Sequence, residues 1–194
     1  EPPELELQLQ LAQYIQQHRE TVDAVVCSDY GDDTLTSPVI NAALKHSRTI
    51  IDAQQELNRY HGAMLFTPNL PEAEKAVGYA IATPQDLSRA GRDLLDLTEA
   101  QNILITRGEA GMTLFERSGA ELHIPAFNRT DVFDVTGAGD TVVAALTLGL
   151  AVGASVWEAA ILGNLAASIV VRQFGTATTT TSAIQTALQN LLNE

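Results

Sequence analysis

An α/β layered domain built on a mostly parallel sheet is the fold class that this 194-residue sequence predicts. Two observations carry the prediction. Short apolar runs of strand length alternate with segments whose apolar residues recur every three to four positions. Glycine, proline, aspartate and asparagine mark the turns between them, and neither a repeat nor a long linker interrupts the series. With 45% apolar residues the chain has material for a buried core, and its length fits about one domain.

Leu5, Leu7, Leu9 and Leu11 alternate, but the spacing then changes to Leu11, Ala12 and Ile15 with glutamine-rich faces, so a helix is expected over 5–19. Residues 22–28 form a short buried-type strand, closed by the turn-rich Asp29-Tyr30-Gly31-Asp32-Asp33. Pro38 opens a helix to about residue 46, at an early position where its missing N–H costs nothing. Strands are expected over 48–52 and 63–67, with a polar connector at 54–62 between them. Helices over 71–77 and 84–97 precede an apolar strand at 101–106. Gly108 to Gly111 turns into 112–116, and Ser118-Gly119 turns into 121–125, an antiparallel hairpin on an otherwise parallel sheet. A strand over Val132-Phe133-Asp134-Val135 leads into a glycine loop, followed by helices over 138–150, 156–173 and 182–192. The threonines at 178–181 read as a loop whose hydroxyls cap that last helix.

Composition excludes several roles. Eleven Lys plus Arg against 24 Asp plus Glu leave a net charge of −13, the wrong sign for coating nucleic acid or an anionic membrane. The single cysteine, Cys27, rules out an intrachain disulfide framework and a cysteine-rich zinc site, and a reducing, cytoplasmic setting fits. Cys27 itself reads as a small buried residue, and the four histidines stand at no ligand spacing. No apolar run reaches the length of a membrane span. Glu1-Pro2-Pro3-Glu4 lacks the basic and apolar regions of a signal peptide. Position 1 is not methionine, and the sequence is read as part of a longer gene product.

Asp134-Val135-Thr136-Gly137-Ala138-Gly139-Asp140-Thr141 is the most informative segment. Small residues at 137–139 let successive N–H groups face outward at a helix N-terminus, where the dipole also favours an anion. A Walker-type loop needs Gly-Lys-Ser/Thr, and Asp140 follows Gly139 here. A dinucleotide fingerprint needs a third glycine where Val142 stands. What remains is an anion hole paired with a carboxylate that can accept a proton from a substrate hydroxyl. The same residues also read as a helix cap and a tight turn.

Asp134-Val135-Thr136-Gly137-Ala138-Gly139-Asp140 resembles the signature of the ribokinase-like (PfkB) carbohydrate kinases, which move the ATP γ-phosphoryl group onto a sugar hydroxyl. The resemblance implies a three-layer sandwich around a mostly parallel sheet, with Asp140 as catalytic base and the Gly137, Ala138 and Gly139 amides as the anion hole. Asn69-Leu70-Pro71-Glu72 resembles the family's Asn-x-x-Glu element, implying indirect Mg²⁺ binding by Asn69 and Glu72, although the pair also reads as a capping box. Thr106-Arg107-Gly108-Glu109-Ala110-Gly111 resembles the Thr-x-Gly-x-x-Gly nucleotide loop, which assigns Thr106, Gly108 and Gly111 to ATP. Asn164 matches the adenine-side asparagine, and Arg172-Gln173-Phe174-Gly175 the late loop. With Asp134 and Thr136, Gly175 would hold a monovalent cation, K⁺, although it also reads as a helix C-cap.

Ser28-Asp29-Tyr30-Gly31, Ile51-Asp52, Arg59-Tyr60-His61-Gly62-Ala63 and Thr67-Pro68-Asn69-Leu70 look closest to heptose-phosphate kinases of the bacterial lipopolysaccharide pathway. Lys-Gly and Pro-Lys follow the first two segments there, and Asp32-Asp33 and Ala53-Gln54 stand here. The resemblance covers a single partial domain, 1–194, lacking the family's N-terminal strands and lid. It implies an ATP-dependent carbohydrate kinase acting on a sugar or sugar phosphate, with a homodimer as its expected assembly. A catalytically weak nucleotide-binding module and one half of a split kinase are the alternatives.

Overall fold

The computed structural model describes residues 2–127 and 132–193. It has seven α-helices and six strands among the described residues. They are α1 (Leu5–His18), β1 (Val25–Asp29), α2 (Ser37–Ala43), β2 (Thr49–Ala53), β3 (Leu65–Phe66), α3 (Leu70–Val77), α4 (Pro84–Thr98), β4 (Asn102–Thr106), β5 (Met112–Glu116), β6 (Glu121–Ile124), α5 (Ala138–Ala151), α6 (Val156–Val170) and α7 (Thr181–Leu192). The sheet order is β1-β2-β3-β4-β5-β6, with β1 to β4 paired in parallel. The expected mostly parallel α/β architecture is therefore present. The chain packs as two compact units, Glu1–Ile105 with Leu114–Glu121, and Thr106–Thr113 with Leu122–Glu194.

In the first unit, Ile50, Ile51, Leu65, Phe66, Ile103, Leu104 and Ile105 are all buried, the continuous apolar strand pattern of a parallel sheet covered on both faces. Cys27, Ile51, Phe66, Ile103 and Ile105 share a core with Ile40 of α2, Ala73 of α3 and Leu87, Ala90 and Leu94 of α4. Both α3 and α4 begin with a capping box and an early proline, the chemistry that fixes a helix start. The connector at 54–62 includes a 3₁₀ turn, Leu57–Tyr60. It delivers Tyr60 and Arg59 to the end of β1, where Asp29 is only 3% exposed. The Tyr60 hydroxyl donates to Asp29 Oδ2 at 2.5 Å, Arg59 Nη1 approaches the same oxygen at 3.4 Å, and the Gly31 amide donates to Oδ1 at 2.8 Å. Burial of a carboxylate is tolerated because both oxygens are met by donors.

Cys27 sits beside this network. Burial, with the Asp29 charge adding to it, pushes its thiol from 9.0 up to about 11. A raised folded value stabilises the protein fully below pH 9, and that stabilisation is lost as pH rises towards 11. Roughly 2–3 kcal/mol is expected to disappear across this window. Urea midpoints from pH 8 to 11 check it: Cys27→Val flattens the slope, and an unchanged slope contradicts the assignment.

Three expectations differ from the structure. No strand forms over 132–135: the Phe133 and Asp134 amides both donate to the Val171 carbonyl, at 2.8 and 3.3 Å, and consecutive amides sharing one acceptor cannot alternate as a strand does. That use of Val171 also accompanies the end of α6 at Val170 rather than 173. The second helix stops at Ala43, whose carbonyl accepts from the His46 amide and the Thr49 hydroxyl instead of a continuing turn. The last helix is capped as expected, with Thr180 Oγ1 accepting from the Ala183 amide at 3.2 Å.

Candidate active site

The second unit is organised by the α5–α6 pair. Gly163 lies where a Cβ would stand 2.9 Å from the Val142 carbonyl, and Gly149 where one would stand 3.3 Å from the Ala159 Cβ. These small residues let the two helices approach closely and fix the start of α5. Gly137 is its N-cap, left-handed at φ 75°, and contributes no side-chain cap. By contrast α3, α4 and α6 all close with capping boxes. The start of α5 is thus the one of these four at which the N-cap residue supplies no side-chain cap. Asp140 lies in that first turn and is exposed. Among the three amides expected to form the anion hole, that of Ala138 donates to the Val135 carbonyl at 3.1 Å and closes the turn.

A cavity of about 440 Å³ opens beside this helix start. It brings together Ala138 and Gly139 of the glycine loop, Thr106, Gly108 and Gly111 of the turn before β5, and Asn164 of α6. The rest of the lining is mainly apolar, including Met112, Phe127, Val142 and Val171, as a site for a flat apolar ring system requires. Asn164 is buried, and its Nδ2 donates to the Pro125 carbonyl at 2.7 Å, so its amide also ties α6 to the chain leaving β6. Gly111, at φ 80°, lies where any Cβ would meet the Ile124 carbonyl at 2.1 Å. Sequence reasoning missed Ala167, Ser168 and Val171, which line the same cavity. Their signal was available, since they follow Asn164 at three, four and seven positions on one helix face.

Asp134, Thr136 and Gly175 also meet. Asp134 Oδ1 accepts from the Thr136 amide and Oδ2 from the Gly175 amide, both at 2.9 Å. Hydrogen bonds from Thr136, then from Gly175, hold this carboxyl below the usual carboxylate range. Gly175 lies five residues beyond the end of α6, and its left-handed φ of 71° belongs to this loop rather than to a helix cap. Asn69 and Glu72 lie in the first unit, where they complete a capping box: Glu72 Oε2 accepts from the Asn69 amide at 2.8 Å and Asn69 Oδ1 from the Glu72 amide at 2.9 Å. The donors are all oxygens, which suits Mg²⁺ held through water and phosphate. Among the described residues no cluster of three His, Cys, Asp or Glu could cage a metal directly, and no helix is long and apolar enough to cross a membrane.

Curated relatives include the bifunctional protein HldE of Pelobacter propionicus, 40% identical over 193 residues, and that of Coxiella burnetii, 41% identical over 185. The alignments take in 96% and 93% of this chain but only 39% and 38% of those proteins, so the chain spans well under half their length. Among solved structures, phosphofructokinase-2 from Escherichia coli in complex with potassium superposes with a TM-score of 0.78 at 22% identity, covering 94% of this chain and 62% of that one. Arabidopsis thaliana ribokinase complexed with ribose and ATP gives 0.78 at 21% identity, covering 90% and 58%. At such identities these likenesses show the shared fold. The pfkB carbohydrate kinase profile matches residues 33–183, most of the chain and all the motifs from Asn69 to Gly175, and the chain belongs to the pfkB family of carbohydrate kinases.

Proposed function

We propose that this chain is the nucleotide-holding and base-bearing part of an ATP-dependent kinase that phosphorylates a sugar hydroxyl. One observation carries the reading: three motifs far apart in sequence line one cavity beside the glycine N-cap of the helix whose first turn bears Asp140. The nucleotide ring fits the apolar lining, and its phosphates fit the amide-rich start of α5 and the Gly108 to Gly111 turn. In the transfer the sugar oxygen bonds to the γ-phosphorus, the bond to the β–γ bridging oxygen breaks, and ADP leaves with that electron pair. Asp140 accepts the hydroxyl proton, and the helix-start amides stabilise charge on the transferring group. Asn69 and Glu72 would hold Mg²⁺ through water, and the ion would supply charge neutralisation. A coupled ADP-release assay on the full gene product with a sugar panel tests the reading; release that no sugar accelerates would leave a nucleotide-binding module without kinase activity.

The first unit supports a narrower choice of acceptor. Asp32 accepts from the Thr34 amide at 3.1 Å, and that bond first of all holds its carboxyl below the usual range, so it is anionic at neutral pH. It stands where the heptose-phosphate kinase pattern has a lysine, which favours an unphosphorylated sugar over a sugar phosphate.

Asp134, Thr136 and Gly175 are proposed to serve a monovalent cation such as K⁺, with the Asp134 carboxylate as the charged partner. Wild type is expected to turn over several-fold faster in K⁺ than in Li⁺, and Asp134→Ala to abolish the difference. A difference that survives in the variant places the cation elsewhere.

A further inference from the structure

We propose that Arg59 is a positioning residue for the sugar acceptor, holding the 30–35 loop, and with it the Asp32 carboxylate, at the end of β1. The proposal rests on the kinase reading above, in which Asp32 selects the acceptor. The loop leaves the carboxyl end of β1 and leads into α2. Open α/β sheets gather their ligands outside the carboxyl ends of their strands, which is where this loop stands.

Left-handed backbone marks the loop. Gly31 and Asp33 have φ of 75° and 65°, and between them Asp32 Oδ1 accepts from the Thr34 amide at 3.1 Å. A residue with a side chain seldom takes such a φ, and it persists where the surroundings fix it. Here they are supplied by the 54–62 connector. Arg59 Nη1 approaches Asp29 Oδ2 at 3.4 Å where the loop begins, and Nη2 of the same guanidinium donates to the Leu35 carbonyl where it ends. One planar side chain thus spans both ends of the loop, which the single-point ammonium of a lysine does not do.

The anchor itself is rigid. Asp29 is buried and takes the Tyr60 hydroxyl at 2.5 Å and the Gly31 amide at 2.8 Å. Gln55 packs against Gly31 and accepts from Lys75 Nζ at 3.3 Å, which ties the connector to α3. Tyr60 is buried and reaches only the near end, so its loss acts on the core. Arg59 is half-buried and reaches the far end as well. A loop held at both ends is ordered before the acceptor arrives, so binding does not bear that entropy. With Leu35 released, acceptor binding has to order the loop, whereas nucleotide binding and the transfer step do not depend on it.

Steady-state kinetics on the full gene product, with the acceptor that the sugar panel identifies, tests the proposal. Arg59→Met is expected to raise the acceptor KM roughly fivefold or more, the scale of one lost hydrogen bond. The KM for Mg-ATP and kcat should both stay within about threefold, the signature of lost acceptor binding alone. Arg59→Lys keeps a cation beside Asp29 but not the second bond, so it folds on the same terms and should show the same split. An acceptor KM unchanged in both variants would overturn the proposal. A parallel rise in the KM for Mg-ATP would also overturn it, as the mark of a general loss of structure. ADP release that no sugar accelerates in the wild type would instead overturn the kinase reading, and this proposal with it.

Discussion

Asp140→Asn is expected to lower the rate of phosphoryl transfer roughly 10²–10⁴-fold, the usual worth of a positioned general base. Asparagine keeps the size and the neutral hydrogen-bonding outline but cannot take the hydroxyl proton. Asp140 is exposed in the first turn of α5, whose N-cap residue is Gly137. Loss of an acidic side chain near a helix N-terminus costs only about 0.3–1 kcal/mol. Nucleotide affinity should therefore stay within a few-fold while turnover falls, and rapid-quench measurement of ADP formation with parallel calorimetry separates the two. A variant that keeps more than a tenth of wild-type turnover would remove Asp140 from the base role.

Gly111→Ala is expected to destabilise the second unit by roughly 2–5 kcal/mol, from a left-handed backbone that side chains resist and from overpacking. The added Cβ would stand 2.1 Å from the Ile124 carbonyl and 2.6 Å from the Ala126 amide, backbone atoms that cannot rotate away. The wall formed by Ala126 and Phe127 would have to move, closing the cavity from one side. Gly108 provides the control. It too has a positive φ, 56°, but a Cβ there meets nothing within 4 Å, so Gly108→Ala should cost only about 1–2 kcal/mol. Urea denaturation of both variants reads the difference, and equal effects would show that conformation alone, not the close approach, makes glycine necessary at 111.

Much of this architecture was legible because local chemistry and tertiary structure agree. Thr83-Pro84 with Asp86, and Ser155 with Glu158, announce helix starts through caps that depend on neighbours in sequence. Ile103, Leu104 and Ile105 announce a covered strand by lacking any polar alternation. One misreading arose where a distant group decided the outcome, whereas α2 was cut short locally by the His46 amide and Thr49 hydroxyl at Ala43. Val132 to Val135 has strand-like composition, yet Val171, brought close only by folding, captures two successive amides. Asp29 was legible as part of a motif, but its burial depends on Tyr60 and Arg59, which are about thirty positions away. At the site, glycines and the aspartate stood out because backbone demands restrict residue choice there. The apolar lining did not, since Met112 or Val142 looks like any core residue until the cavity is seen. Asn69 and Glu72 form a capping box, an arrangement compatible with the water-mediated metal binding proposed for them.

The central claim is that nucleotide occupies the cavity beside α5, and amide exchange of the full gene product with and without Mg-ADP tests it most directly. The account predicts slowed exchange in peptides covering 106–113, 135–142 and 164–171, the segments that line the cavity. Saturable nucleotide binding that leaves all three unchanged would contradict it.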